Sequence, residues 1–221
     1  MSWRTRSSGK DKSATSSKSS PPKVTPPKVS KIEQLFNKYK DAKEDIIQVD
    51  GFMKLLDDIK VEPDDVITLV IVWQFNARQR FKFSKDEFIA GCTKLGIEDV
   101  SSFQKKINDL RGMIKDENNF KEMYKFAFTY YLDGQRVKVL KTEDIIGLLP
   151  ILLGKYPALN DFIKFLQEAK VQTLNSDTWD LLPDFFKEMN KDYSNFSDDN
   201  AWPVLLDDYV NWYRRTKKIK Q

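Results

Sequence analysis

Histidine is absent from the 221-residue chain. That removes the commonest general base and metal ligand of proteins. Ser-His-Asp and Cys-His catalysis go with it, as does every histidine-bearing zinc site. A metal could be held only through oxygen. The single cysteine, Cys92, permits neither an internal disulfide nor a thiolate cluster. Glycine is scarce, at 8 residues, which disfavours a turn-rich all-β fold. No apolar run approaches the ~20 residues of a membrane-spanning helix; the longest is Val66–Trp73. The start, Met1-Ser-Trp-Arg, lacks the apolar core of a secretory signal. Ser2 stands where myristoylation requires glycine. These absences predict an intracellular protein of the nucleus, the cytoplasm or both.

What is present favours helices around a sizeable core. Hydrophobic residues make up 40 % of the chain, and 15 of them are phenylalanine. Charge is uneven. Residues 1–30 carry seven basic residues against Asp11 alone, with nine serines and two Pro-Pro pairs. The remainder holds 30 basic against 32 acidic residues, so the excess positive charge belongs to the tail. Such a segment cannot bury enough surface to offset its ordering entropy, and it predicts a disordered basic arm.

From Ser30 onward, helix-start signals recur. Ser30-Lys-Ile-Glu33 and Ser84-Lys-Asp-Glu87 have the capping-box pattern. Asp50, Thr142 and Ser176 are further N-cap candidates, and Pro63 and Pro203 suit a first helical turn. Apolar stripes at helical spacing run through Ile32, Leu35, Phe36 and Tyr39, through Phe120, Met123, Tyr124 and Ala127, and through Trp202, Leu205, Leu206 and Tyr209. About ten helices are expected. Pro150 and Pro183 fall inside helical patterns and should kink or end them. Asp45–Val49 and Arg80–Phe83 read as short strands able to pair. The alternation suggests two EF-hand-like subdomains, roughly 31–117 and 118–215. Calcium loops beginning at Asp41, Asn76 and Asp133 each lack glycine at position 6 and most oxygen ligands; the third frame has carboxylates at its ends, Asp133 and Asp144. Functional calcium loops are therefore not expected.

Cys92 has no histidine to activate it and reads as a small core residue. Lys105, Lys106, Arg111 and Lys115 read as a solvated helix face. The richest segment is C-terminal. There Asp177, Asp198, Asp199, Asp207 and Asp208 gather with Trp179, Trp202 and Pro203, an acidic surface with aromatic anchors suited to a basic protein partner. Asp177, and the segment from Asp198 to Asn200, could instead serve as helix caps.

Ala201-Trp-Pro-Val-Leu-Leu-Asp-Asp-Tyr-Val210, preceded by Asp177-Thr-Trp179 and Tyr193-Ser-Asn195, resembles the C-terminal signature of the defective-in-cullin-neddylation family. Leu35–Asp41, Val49-Asp-Gly51, Trp73-Gln-Phe75, Phe83–Phe88 and Phe120–Tyr124 fit the same family in the same order. The resemblance covers roughly Ser30 to Arg215, the potentiating-neddylation domain; the tail lies outside it.

This resemblance implies an all-α scaffold without a catalytic residue of its own. It would hold a cullin and a neddylation conjugating enzyme together within the cullin-RING ligase complex, so that the ubiquitin-like modifier passes to the cullin. Two surfaces carry over. The patch for the cullin's C-terminal winged-helix region falls on Asp177, Ala201 and Asp207. The pocket for the acetylated N-terminal methionine of the conjugating enzyme falls near Phe52, Thr68, Leu69, Ile71, Phe83 and Tyr130. Thr68 stands where the family carries an aliphatic residue and Arg80 where it carries an amide, while Pro150 enters a pocket-lining helix. No cofactor, metal, nucleic acid or membrane is implied. The alternative is an EF-hand-like calcium or signalling module.

Overall fold

The computed structural model describes residues 30–197, 199 and 201–218. The basic arm and the caps expected at Asp198 and Asn200 lie outside them. The order is α1 (Lys31–Tyr39), β1 (Ile46–Ile47), α2 (Val49–Ile59), α3 (Val66–Gln74), β2 (Phe83–Ser84), α4 (Lys85–Leu95), α5 (Val100–Met113), α6 (Glu117–Leu132), β3 (Val139–Lys141), α7 (Thr142–Leu153), α8 (Leu159–Glu168), β4 (Thr173–Asn175), α9 (Ser176–Glu188) and α10 (Val204–Lys217). The described fold is all-α, with ten helices.

Helix–strand–helix units recur in pairs. β1 joins β2 antiparallel, with Ile46 opposite Ser84 and Ile47 opposite Phe83. β3 joins β4 in the same way, with Leu140 opposite Leu174. The first ribbon meets the two strand-like sequences only in part: β1 takes Ile46 and Ile47, while β2 takes Phe83 and Ser84, because Arg80 and Phe81 form a turn. The second was not legible, because three residues are too few to display an alternating pattern.

Both capping boxes form. Ser30 Oγ accepts from Glu33 N–H at 3.1 Å, and the Glu33 carboxylate accepts from Ser30 N–H at 3.2 Å. Ser84 and Glu87 repeat the exchange at 3.3 and 2.9 Å. The other cap expectations need correction. α2 starts after extended Gln48, which places Asp50 inside the first turn. Lys141, extended at the end of β3, precedes α7, and the Thr142 hydroxyl donates to the Val171 carbonyl instead of capping. Asn175 caps α9 by accepting from Thr178 N–H at 2.9 Å, so the helix begins at Ser176. Asp65 caps α3, leaving Pro63 in the preceding turn, and Pro203 stands just before α10.

α7 and α9 run through their prolines. At Pro183 the missing N–H frees the Trp179 carbonyl four residues earlier. Tyr124 Oη donates to that carbonyl at 3.0 Å, so the helix continues without a buried unpaired oxygen.

α3 is apolar all round, and Ile67 through Val72 are all buried. It packs against both α5 and α6, joining the two halves. Close approaches elsewhere demand glycine. A Cβ at Gly51 would lie 2.0 Å from the Tyr39 carbonyl oxygen, and one at Gly91 would lie 2.3 Å from the Phe75 ring.

Candidate functional site

α9 and α10 build the C-terminal face. Asp177 is exposed in the first turn of α9, Ala201 is exposed just ahead of α10, and Asp207 is half-buried in the first turn of α10. Both carboxylates thus occupy helix N-terminal turns, where the helix dipole favours negative charge. Trp202 docks the α10 entrance against α9, its ring 5.3 Å from Phe185 at 83°. Asp177 lies eight residues before Phe185 on α9, about 12 Å along the axis at 1.5 Å per residue. Deeper in, Tyr193 and Tyr209 share a 2.8 Å hydroxyl contact, and the Arg214 guanidinium donates to the Tyr193 carbonyl at 2.9 Å. Burial drives the Tyr193 hydroxyl up to about 12, so both rings stay neutral at physiological pH.

The aromatic-anchor reading of this face is corrected at one position. Trp179 is completely buried and cannot reach a partner. Trp202 is half-buried, and its indole Nε1 is buried without a hydrogen-bond partner. Asp199 and Asp208 are exposed. Other acids of α9 pair at the surface with a neighbouring helix: Asp180 and Asp184 face Lys125 and Lys121 of α6 at 3.8 and 3.4 Å.

The six residues assigned to the N-terminal pocket are all buried, none more than 4 % exposed. Phe52 and Phe83 meet at 5.3 Å, and Phe83 also contacts Phe75 at 5.3 Å. Thr68, expected on the pocket wall, donates its hydroxyl to the Glu62 carbonyl at 3.1 Å. These side chains pack as core in this conformation. Burial raises the Tyr130 hydroxyl far above its ordinary value, against the opposing Phe81 amide contact.

The turn between α3 and β2 crosses to the C-terminal half beside these residues. Arg80 pairs with Asp144 at 2.9 Å, its backbone N–H reaches Asp133 at 3.1 Å, and its guanidinium lies 4.2 Å from the Tyr131 ring. Phe81 N–H donates to Tyr130 Oη at 2.7 Å. The carboxylates at the two ends of the third loop frame are therefore engaged by an arginine from the other half. Sequence reasoning singled out Arg80 but not its partners, because they lie 53 and 64 residues away.

Cys92 is buried, and burial pushes its thiol up to about 12. A thiol of that kind is not a nucleophile at neutral pH. Of the basic cluster, Arg111 is tied to Asp65 at 2.6 Å and Lys106 to Asp109 at 3.0 Å, while Lys105 and Lys115 are exposed.

A family model described as Cullin binding matches residues 102–212. The chain is 32 % identical over 196 residues to DCN1-like protein 3 of Xenopus laevis, covering 86 % of the chain and 65 % of that protein. It is 32 % identical over 179 residues to DCN1-like protein 5 of Homo sapiens, covering 80 % of the chain and 73 % of the relative. Identity to DCN1-like protein 4 of Homo sapiens is 35 % over 175 residues, covering 77 % and 59 %. The chain thus spans between about three fifths and three quarters of the length of these relatives.

Proposed function

The chain belongs to the cullin-binding family of DCN1-like proteins, and on that premise we propose that it is a scaffold for cullin neddylation. It binds the C-terminal winged-helix region of a cullin through Asp177, Ala201 and Asp207. It receives the acetylated N-terminus of a neddylation conjugating enzyme at the pocket around Phe52, Leu69, Ile71 and Phe83. The rate gain comes from proximity and orientation, since no activated cysteine stands among the described residues. The buried, un-ionised Cys92 supports a non-catalytic role.

One observation carries the reading. The matched family segment, 102–212, contains all three residues of the acidic patch. Two of them sit on helix N-terminal turns, and Asp177 and Ala201 are exposed to an approaching partner. Cationic groups of the cullin pair with the carboxylates, and Ala201 leaves room for close contact.

A binding titration against a cullin C-terminal fragment tests this. Asp177→Lys reverses an exposed charge and should cost roughly 2–5 kcal/mol of binding at a desolvated interface. Asp207 also interacts within the fold, so Asp207→Lys is paired with a melting curve to separate folding from binding. Unchanged cullin affinity in both folded variants removes the assignment.

A further inference from the structure

We propose that Phe81 is the built-in occupant of the N-terminal pocket, held in place by Arg80, and that an incoming peptide binds by displacing it. The inference rests on the pocket reading above and concerns what that pocket admits.

The six assigned residues are closed over, so a ligand must gain room from a neighbour that can move. Phe81 is that neighbour. It touches two of the six: its ring centroid is 6.2 Å from that of Phe52, and its N–H is bound by Tyr130 Oη. It is only half-buried, so it stands at the edge of the core rather than within it. Its backbone is held at φ 56°, a left-handed conformation that is uncommon for a bulky aromatic residue. Leaving the pocket would relieve that strain.

Arg80 supplies the restraint. Its ion pair with Asp144, its backbone bond to Asp133 and its seat on Tyr131 fasten the turn from three directions. Every one of these partners belongs to the C-terminal half, whereas Arg80 and Phe81 belong to the N-terminal half. The ion pair is accessible, with the two side chains 28 % and 30 % exposed, so it can open without unfolding the core. The structure thus contains a strained aromatic plug, a latch beside it, and apolar walls behind it. The ligand that fits is a peptide whose first side chain is large and apolar, able to replace the Phe81 ring against Phe52. Its amine must be neutralised, because a free ammonium would lose its hydration against the apolar walls formed by Phe52 and Phe83.

The test is calorimetric titration of a synthetic N-acetylmethionyl dodecapeptide, copied from a neddylation conjugating enzyme, into the full chain. Arg80→Ala and Asp144→Asn both release the latch. If the open form is the binding-competent minority, each should bind at least about tenfold tighter than the unaltered chain. Arg80→Lys can keep the pair with Asp144 and should fall between. In the unaltered chain the nuclear Overhauser contact between the Phe81 and Phe52 rings, 6.2 Å apart between centroids, should be lost as peptide is added, an effect that binding without displacement would not produce. Equal affinities across the variants, or a ring contact that persists in the complex, overturn the plug and leave the pocket standing. Absence of binding by every form overturns the pocket and the plug together.

Discussion

Tyr124 and Trp179 each donate a hydrogen to the other's backbone. The indole Nε1 reaches the Tyr124 carbonyl at 3.1 Å, the phenol reaches the Trp179 carbonyl at 3.0 Å, and the rings stack 4.6 Å apart at 15°. The pair ties α6 to α9, the helix that carries Asp177. It also resolves the proline in α9, because the carbonyl that Pro183 cannot serve is the one Tyr124 takes. Tyr124→Phe should therefore cost about 1–3 kcal/mol by leaving that oxygen buried and unpaired. Pro183→Ala supplies the missing amide and should recover part of the loss in the double variant. Denaturant unfolding of the four proteins in a double-mutant cycle checks it; additive effects would show that the carbonyl is not shared.

Two glycines in helices should respond oppositely to alanine. At Gly91 the new Cβ would lie 2.3 Å from Cγ of the Phe75 ring. Overpacking of that kind costs about 1–3 kcal/mol. At Gly147, within α7, nothing lies within 4 Å of the added Cβ, and alanine should stabilise by about 0.4–1 kcal/mol. Thermal unfolding of the two variants reads both signs.

The sequence disclosed features whose cause is local. Capping boxes need residues three apart, so Ser30 with Glu33 and Ser84 with Glu87 were visible directly. The β1–β2 pairing showed in Ile46, Ile47 and Phe83 because apolar residues were bracketed by helices. Features set by distant partners were hidden. Nothing near Pro183 indicates that Tyr124 would rescue its helix, and nothing near Trp179 says that it faces inward. At the candidate sites, Asp177, Ala201 and Asp207 matched a family signature by residue type; that the two aspartates stand in the first turns of α9 and α10 is seen only in the structure. The Arg80 latch escaped notice because Asp133 and Asp144 become its neighbours only when the halves meet.

The Asp65–Arg111 pair should give stability a defined pH dependence. Burial alone would raise the Asp65 carboxyl, but the Arg111 bonds and the Ile67 amide outweigh it and hold the pKa below its ordinary value. A carboxyl depressed by folding adds stability that is complete above the unfolded pKa of about 3.9 and is lost as pH falls through the folded value. Asn keeps the cap to Ile67 but not the charge. Asp65→Asn should therefore be less stable by up to about 1 kcal/mol at neutral pH, with the gap closing in acid. Urea titrations at neutral pH and below about pH 3.9 decide it, and a gap independent of pH would contradict the assignment.

Cys92 should resist alkylation in the native protein. Its thiol is buried and pushed up to about 12, so iodoacetamide at neutral pH should label it only after unfolding in denaturant. Mass spectrometry of native and denatured samples reads the difference. Rapid native labelling would reopen a chemical role for this side chain.

The most direct test is single-turnover transfer of the modifier from a charged neddylation conjugating enzyme to a cullin, with and without this chain. The account predicts faster transfer with the chain present, and loss of that acceleration in the Asp177→Lys/Asp207→Lys double variant while it still unfolds cooperatively well above the assay temperature. Transfer at the same rate with or without the chain, or undiminished acceleration by the folded double variant, would contradict it.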